Sequence, residues 1–536
     1  MKTKKCAALF LAAAMCTSLF SVPASAEDAV KLTVWVPDNI RIEDWNTNAM
    51  TLWLEEQTGY DLEIIPLASE DYGTKVNMSL LAGNIKDLPD IIVGAGGDSN
   101  VWAWAQAETI IPLTEYYENP ELAVHINEAI ERTGIDYPKQ IVSPDGNIYG
   151  IAQYNQSYGN EFPAKIWIYQ PWLEALGKEV PTTTEEFYEV LKLVAETDLN
   201  GNGKKDEIGM LGSTGTYSSY MRALMNAFVY AGDGGYRVVE DGTVSVAYTT
   251  DAWKDGLKYL KTLFDEGLIA AESLTLSDEQ FRTLINSEDP SVFSFVWMAP
   301  DMISQGTERS TEYICIDTLT GPNGVNYASY NPSVAGVSML VTANCENPEA
   351  AFKIGDLLNS EYIGISQRWG QEGVDWDYVE NLDDLTGYAP AVEGFEMSIV
   401  AYNDAAFWGG TDVTNGSWRQ TGPFVRQYGI ANGWASISDG ADAYTANVNK
   451  AGALYQNADH EPAEVIPKLI YTTDESNSVS EISSVLSSYV NENIASFVTG
   501  AKDIDESWDG YLEELNNIGL EQYLEIEQTI YDRMYK

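Results

Sequence analysis

Between residues 31 and 104 short β-branched runs alternate with stretches of helical length, and this alternation limits the possible folds more than any other feature. The run Lys31-Leu32-Thr33-Val34-Trp35-Val36 predicts a strand, ended by Pro37-Asp38-Asn39. Residues 44–58 predict a helix stopped by Gly59, 62–67 a second strand, 78–82 a helix and 89–93 a third strand. The turn Gly94-Ala95-Gly96-Gly97-Asp98-Ser99 then leads into a helix through Trp102 and Trp104. A βαβαβ opening calls for a parallel sheet, so the fold class is α/β. Ligands on such sheets bind beyond the carboxyl ends of the strands, where Asp38 and the 94–99 turn lie. Ser99 stands where a dinucleotide fingerprint needs its third glycine, which argues against a nucleotide site.

A second constraint is the loop Asp198-Leu199-Asn200-Gly201-Asn202-Gly203-Lys204-Lys205-Asp206-Glu207, which follows a helical segment at 184–196. Oxygens recur at every second residue: Asp198, Asn200, Asn202, the Lys204 carbonyl and Asp206. A hard cation needs six to eight oxygens, and a chain bending around it presents alternate residues, with a glycine at the sixth place. Gly203 occupies that place. The twelfth place is Gly209, which has no carboxylate, and Glu207 is the nearest substitute. An ordinary polar turn is the alternative.

The order Trp167-Ile168-Tyr169-Gln170-Pro171-Trp172-Leu173-Glu174-Ala175-Leu176-Gly177, then Val180-Pro181-Thr182-Thr183-Thr184-Glu185-Glu186-Phe187 and this loop, resembles the family 1 extracellular solute-binding proteins of bacterial ABC importers. It is most similar to the long members that include alginate-oligosaccharide-binding proteins. Similarity resumes at Gly370-Gln371-Glu372-Gly373-Val374-Asp375-Trp376 and at Trp508-Asp509-Gly510-Tyr511. The resemblance implies a periplasmic-binding-protein-like type II fold: two interleaved α/β lobes with a hinge and a ligand cleft between them. Residues 27–152 and 299–365 would form the N-terminal lobe, and 153–298 and 366–536 the C-terminal lobe, with crossings at 149–152 and 293–298. It makes Asp198, Asn200, Asn202, Lys204 through its carbonyl, Asp206 and Glu207 the ligands of a structural Ca2+. It implies a monomer that captures an oligosaccharide and delivers it to the transmembrane permease subunits of an importer. A peptide-binding importer component and an exported glycoside hydrolase are the alternatives.

Lys2, Lys4 and Lys5, an apolar run from 6 to 22 and Ala24-Ser25-Ala26 form an export signal, so residues 1–26 are expected to be removed. The mature protein would then be extracellular, envelope-associated or periplasmic. A lipid on Cys16 stays open, because Met15 is a poor match before a lipidated cysteine. Cys315 and Cys345 form either a disulfide or two free thiols. The formal charge is −51, with 81 acidic and 30 basic residues. Such a field repels nucleic acid and anionic membranes, and it weighs against acidic polysaccharide fragments.

Nothing in the sequence specifies catalysis. There are two histidines, His125 and His460, and no Gly-x-Ser-x-Gly, His-Glu-x-x-His or phosphate-loop motif. The 15 Trp and 32 Tyr say more, since their rings suit the C–H faces of sugars, although most are expected to pack in cores. The candidate ligand-binding residues are Asp38 and Asp98 at strand ends, with helix capping as the alternative for Asp98. To these are added Tyr154, Trp297, Tyr220 and Arg222 from the crossings and second lobe, and Trp376, Trp408 and Trp434 as stacking residues.

Overall fold

The computed structural model describes residues 29–536 except 214–218, 233, 288–290, 298–307, 389, 391–393, 403–412, 437–450, 457–459 and 467. The export segment with Cys16, and Trp408, lie outside the described residues. In chain order the strands are β1 (Lys31–Pro37), β2 (Asp61–Leu67), β3 (Ile91–Val93), β4 (Ile151–Asn155), β5 (Lys165–Tyr169), β6 (Ile208–Leu211), β7 (Arg237–Glu240) and β8 (Thr243–Val246). They continue as β9 (Val292–Trp297), β10 (Tyr313–Cys315), β11 (Gly336–Val341), β12 (Trp376–Tyr378), β13 (Ile399–Ala401), β14 (Val425–Arg426) and β15 (Trp434–Ser436). The main sheet runs β14-β4-β11-β3-β1-β2, and the second runs β10-β5-β9-β6. A small sheet β12-β13-β15 and a β7-β8 hairpin complete the set.

β1 pairs in parallel with both β2 and β3, as the alternation requires. The first helix, Ala49–Thr58, starts later than residue 44, because Asn48 caps it by accepting from the Met50 N–H. Asp44 instead organises a turn, accepting from the N–H groups of Asn46 and Thr47. The second helix begins earlier, spanning Tyr72–Leu81. β11 inserts antiparallel between β3 and β4, and β14 joins β4 in parallel.

The crossings fall elsewhere than expected. β4 is a strand of the main sheet, so the chain leaves that sheet after Asn155 and not at 149–152. β9, read as the return crossing, is an inner strand of the second sheet, and β10 follows it there by pairing with β5. The return therefore runs between Cys315 and Gly336. β14 then rejoins the main sheet, so sheet membership does not follow boundaries at 298/299 and 365/366. The β9 sequence Val-Phe-Ser-Phe-Val-Trp carries the reason: a nearly continuous apolar run is what a strand buried on both faces needs.

Each large sheet has its own core. The main core includes Leu32, Val34, Tyr137, Phe352 and Trp418; the second includes Trp167, Phe187, Trp253, Phe281 and Phe295. Three final helices, Thr473–Val498, Ile504–Ile518 and Leu520–Tyr535, lay Leu486, Phe497, Trp508 and Tyr511 on the second core. Cys315 lies in β10 while Cys345 packs against the main core, and both thiols are free. No helix of the described residues is long and apolar enough to cross a membrane.

The last helix is pinned through Glu527, which has no exposed surface and accepts from Arg237 Nη1 at 2.7 Å and Tyr471 OH at 2.8 Å. Removing the cation alone leaves a buried carboxylate without its counter-charge. Arg237→Met is expected to cost ~3–5 kcal/mol in urea unfolding, and the double variant Arg237→Met/Glu527→Leu distinctly less.

Candidate functional site

A cavity of about 680 Å³ opens where the carboxyl ends of β1 and β3 meet both crossings. Pro37 and the turn through Gly94 and Gly96 form one wall. Gly94 takes φ +74°, and a Cβ there would stand 3.1 Å from Pro37 Cδ, so glycine lets the two turns close on each other. Gln153 and Asn155 enter from β4, Asn160 and Glu161 from the first crossing, Asn331 and Ser333 from the second, and Gln420 and Thr421 from the loop before β14. The polar side chains of the lining are amides and hydroxyls, with Glu161 as the one charged group among the described residues.

Glu161 ties these segments together. It is 2% exposed. Its Oε1 lies 2.5 Å from Ser333 Oγ, and Tyr428 OH donates to the carboxylate at 2.6 Å from Oε1 and 2.7 Å from Oε2. Its carbonyl accepts the Asn331 N–H at 2.7 Å, while Gln156 Oε1 takes the Tyr428 N–H at 3.1 Å. Burial lifts the Glu161 carboxyl above its ordinary range, the charge of Glu461 adds to the rise, and the bonds from Ser333 and Tyr428 oppose it. Asn155 Oδ1 is enclosed without a hydrogen-bond donor.

The residues expected from sequence are distributed unevenly around this cavity. Asp38 is exposed and directly follows the lining residue Pro37. Asp98 is the first residue of the helix Asp98–Gln106, and its side chain lies outside what is described. Tyr154 faces the main core, stacked on Tyr137 at 5.6 Å, because alternation on β4 turns Gln153 and Asn155 to the cavity and Tyr154 away from it. Trp297 packs on Phe281 in the second core. Trp376 is fully buried, its Nε1 donating to the Gly370 carbonyl at 2.9 Å, and with Trp434 it forms the core of the small sheet. None of these three tryptophans offers a free face to the cavity, since each ring sits inside its core. Tyr220 and Arg222 line a different cavity of about 400 Å³, with Ser213, Tyr236 and Asn491. The sequence reading misses Glu161, Ser333, Gln420 and Tyr428; the signal available for Glu161 is a lone acid before the stretch Phe162–Tyr169, which is apolar except for Lys165.

His125 Nδ1 lies 3.1 Å from Glu128 Oε2, and buried His460 sits between Thr318 and Asp317. Each is structurally engaged, away from the cavity lining.

The 198–207 loop is tightly wound. Gly203 N–H donates to Asp198 Oδ2 at 2.9 Å, Lys204 N–H to Asn202 Oδ1 at 2.8 Å, and Asn202 Nδ2 to Asp206 Oδ1 at 3.0 Å. Glu207 is 7% exposed; its Oε1 accepts from the N–H groups of Leu199 and Asn200, and its Oε2 is buried without a partner. That orphaned carboxylate oxygen is what a hard cation would satisfy. Among the described residues no three His, Cys, Asp or Glu side chains converge on a metal position, Asp198, Asp206 and Glu207 included. Gly209 cannot be the twelfth-place carboxylate because it lies in β6 against Leu268, whose carbonyl would be 2.7 Å from an added Cβ.

Residues 53–361 match the family model of the bacterial extracellular solute-binding proteins. The chain belongs to this family. This solute-binding protein is 25% identical over 516 residues to the fructooligosaccharide ABC transporter substrate-binding protein FusA of Streptococcus pneumoniae serotype 4, covering 92% of this chain and 88% of that one. Its fold matches the HMO-binding, ABC-transporter-associated solute-binding protein of Bifidobacterium longum infantis, at TM-score 0.74, 21% identity and coverage of 95% and 99%. It also matches the alginate-binding protein AlgQ2 solved without calcium ion, at TM-score 0.61, 19% identity and coverage of 94% and 99%. A FusA structure described as an EF-hand mutant, in complex with fructo-nystose, matches at TM-score 0.69, 21% identity and the same coverage.

Because the folded Glu161 carboxyl keeps its proton to higher pH than an unfolded one, its contribution to stability is full below about pH 4 and is lost as pH rises through the folded value. The wild type is expected to lose melting temperature relative to Glu161→Gln between pH 4 and 7; parallel curves would reject this.

Proposed function

We propose that this protein captures an oligosaccharide in the cavity at the strand ends of its main sheet and delivers it to the transmembrane subunits of an ABC importer. The observation that carries this reading is the cavity of about 680 Å³ at the strand ends, walled by both crossings. Its amides and hydroxyls suit the rim of a sugar, whose hydroxyls both donate and accept. The relative whose name refers to fructooligosaccharide supports a glycan as cargo.

In this reading each large sheet is the centre of one lobe, and the segments around Glu161 and Ser333 are the hinge. A ligand held by one lobe is reached by the other on closure, and shifts the equilibrium only by its preference for the closed form. The protein is exported after removal of residues 1–26, acts outside the membrane as a monomer, and turns over no substrate.

Asp198, Asn200, Asn202, Lys204 through its carbonyl, Asp206 and Glu207 would hold a structural Ca2+. When bound, the ion would supply positive charge for the loop's oxygens, three of which already accept from the loop's own backbone amides. Calcium at a hundred times its dissociation constant would add about 2.7 kcal/mol to folding. A chelator is expected to lower the melting temperature of the wild type and to leave that of Asp198→Ala unmoved. A wild type indifferent to chelator would make the loop an ordinary turn.

The function is tested by thermal shift with neutral, acidic and amino-sugar oligosaccharides and short peptides. Stabilisation by one glycan class, recovered unchanged, is the expected result. Cleaved glycan would make the protein a hydrolase, and stabilisation by peptides alone would remove the sugar assignment.

A further inference from the structure

The loop before β14 carries more constraint than a connection needs. Trp418 is 1% exposed; its Nε1 donates to Thr51 Oγ1 at 2.8 Å and its ring lies 6.0 Å from that of Trp45. Buried Gln367 grips the loop from below, its Oε1 accepting the Gln420 N–H at 2.8 Å and its Nε2 donating to the Thr421 carbonyl at 3.0 Å. Between these anchors Arg419 takes φ +51° and Gln420 φ +63°. Two consecutive non-glycine residues in the left-handed region persist only where the surroundings hold them, and such positions cluster at ligand contacts.

What this backbone does is set the direction of one amide. Arg426 is 5% exposed, and its Nε donates to the Gly364 carbonyl at 3.1 Å. Its guanidinium stacks over Phe424 at 4.9 Å and Trp369 at 5.3 Å, and no carboxylate among the described residues pairs with it. Its Nη1 and Nη2 lie 3.4 and 3.5 Å from Gln420 Oε1. A guanidinium has donors only, so it orients the Gln420 amide with the oxygen inward. The NH2 group of this cavity-lining residue has no acceptor among the described residues and is available to a ligand.

The second observation is charge. Among the described residues lining the cavity, Glu161 is the only charged one, and no Lys, Arg or His joins it. Recognition of a sugar carboxylate calls for guanidinium or ammonium donors. Arg41 and Arg419, on nearby loops, are not lining residues and have partners of their own.

We propose that Gln420 is a specificity-determining residue whose amide donates to a hydroxyl or ring oxygen of the ligand, and that this subsite takes an uncharged sugar unit and rejects uronates. The proposal rests on the oligosaccharide reading above.

The test uses the complete mature chain in isothermal titration with kestose, maltotriose, mannotriose and xylotriose as neutral probes, and trigalacturonate and trimannuronate as uronides. At least one neutral sugar is expected to bind, with both uronides at least 100-fold weaker. Gln420→Glu keeps an acceptor toward Arg426 while replacing the cavity-side donors with an oxygen. It is expected to hold or raise the melting temperature and to weaken the neutral sugar at least tenfold; Gln420→Met, which removes the donors, should weaken binding similarly. A merely structural residue would leave the affinity of Gln420→Glu unchanged, and that result would overturn the assignment. A uronide within tenfold of the best neutral sugar would overturn the charge exclusion while leaving oligosaccharide capture intact. Binding of none of the sugars would overturn both together.

Discussion

The antiparallel seating of β11 between β3 and β4 is the interaction on which the remaining architecture depends. β3 closes the opening βαβαβ unit, β4 precedes the first crossing, and β11 arrives only after the second sheet has been built and left. The main sheet is therefore incomplete until the chain has crossed twice, and its antiparallel pairing brings both crossings to the same end of the strands. The tight fit is visible at Gly150, where a Cβ would stand 2.7 Å from the Met339 carbonyl. The cavity is a consequence: it lies where the two crossings pass the strand ends, and its lining alternates between strand and crossing residues.

Glu161 is the polar counterpart of that pairing. One carboxylate receives hydroxyls from Ser333 on the second crossing and from Tyr428 beyond β14. Segments far apart in sequence thus meet at a group that is almost wholly buried. A buried carboxylate satisfied by two hydroxyls instead of a cation is tolerant of proton uptake, which distinguishes it from Glu527, whose partner is Arg237. The same fold uses one buried acid to fasten a helix and another to join the segments between its sheets.

The fold class, the opening strands and their parallel pairing were legible in the sequence, while helix starts and the crossings were not. The βαβαβ opening and its parallel pairing followed from periodicity alone, since propensity, turn residues and burial agree between Lys31 and Val93. The crossings were misplaced because an apolar run such as Val292–Trp297 looks the same whether it is an inner strand or a connection, and only pairing with β5 and β6 decides. The tryptophans were misjudged for a related reason. A large ring near a turn can face a cavity or fill a core, and for Trp297, Trp376 and Trp434 cores were available at close range. Tyr154 missed by a single position on an alternating strand. Glu161, Ser333 and Tyr428 are individually unremarkable in sequence and acquire meaning only from being brought together.

The helix Thr473–Val498 spans more than one body of the molecule. Most of its length lies on the second core, yet at its start Thr473 Oγ1 donates to Gln106 Oε1 at 3.1 Å, on a helix of the main sheet. A rigid rod of 26 residues fixed along one body and touching the other at its tip acts as a mechanical stop. In the proposed opening of the lobes, parting the two sheets would break this contact or drag the rod along. The first turn of this helix would then set how far the sheets part, independently of what occupies the cavity.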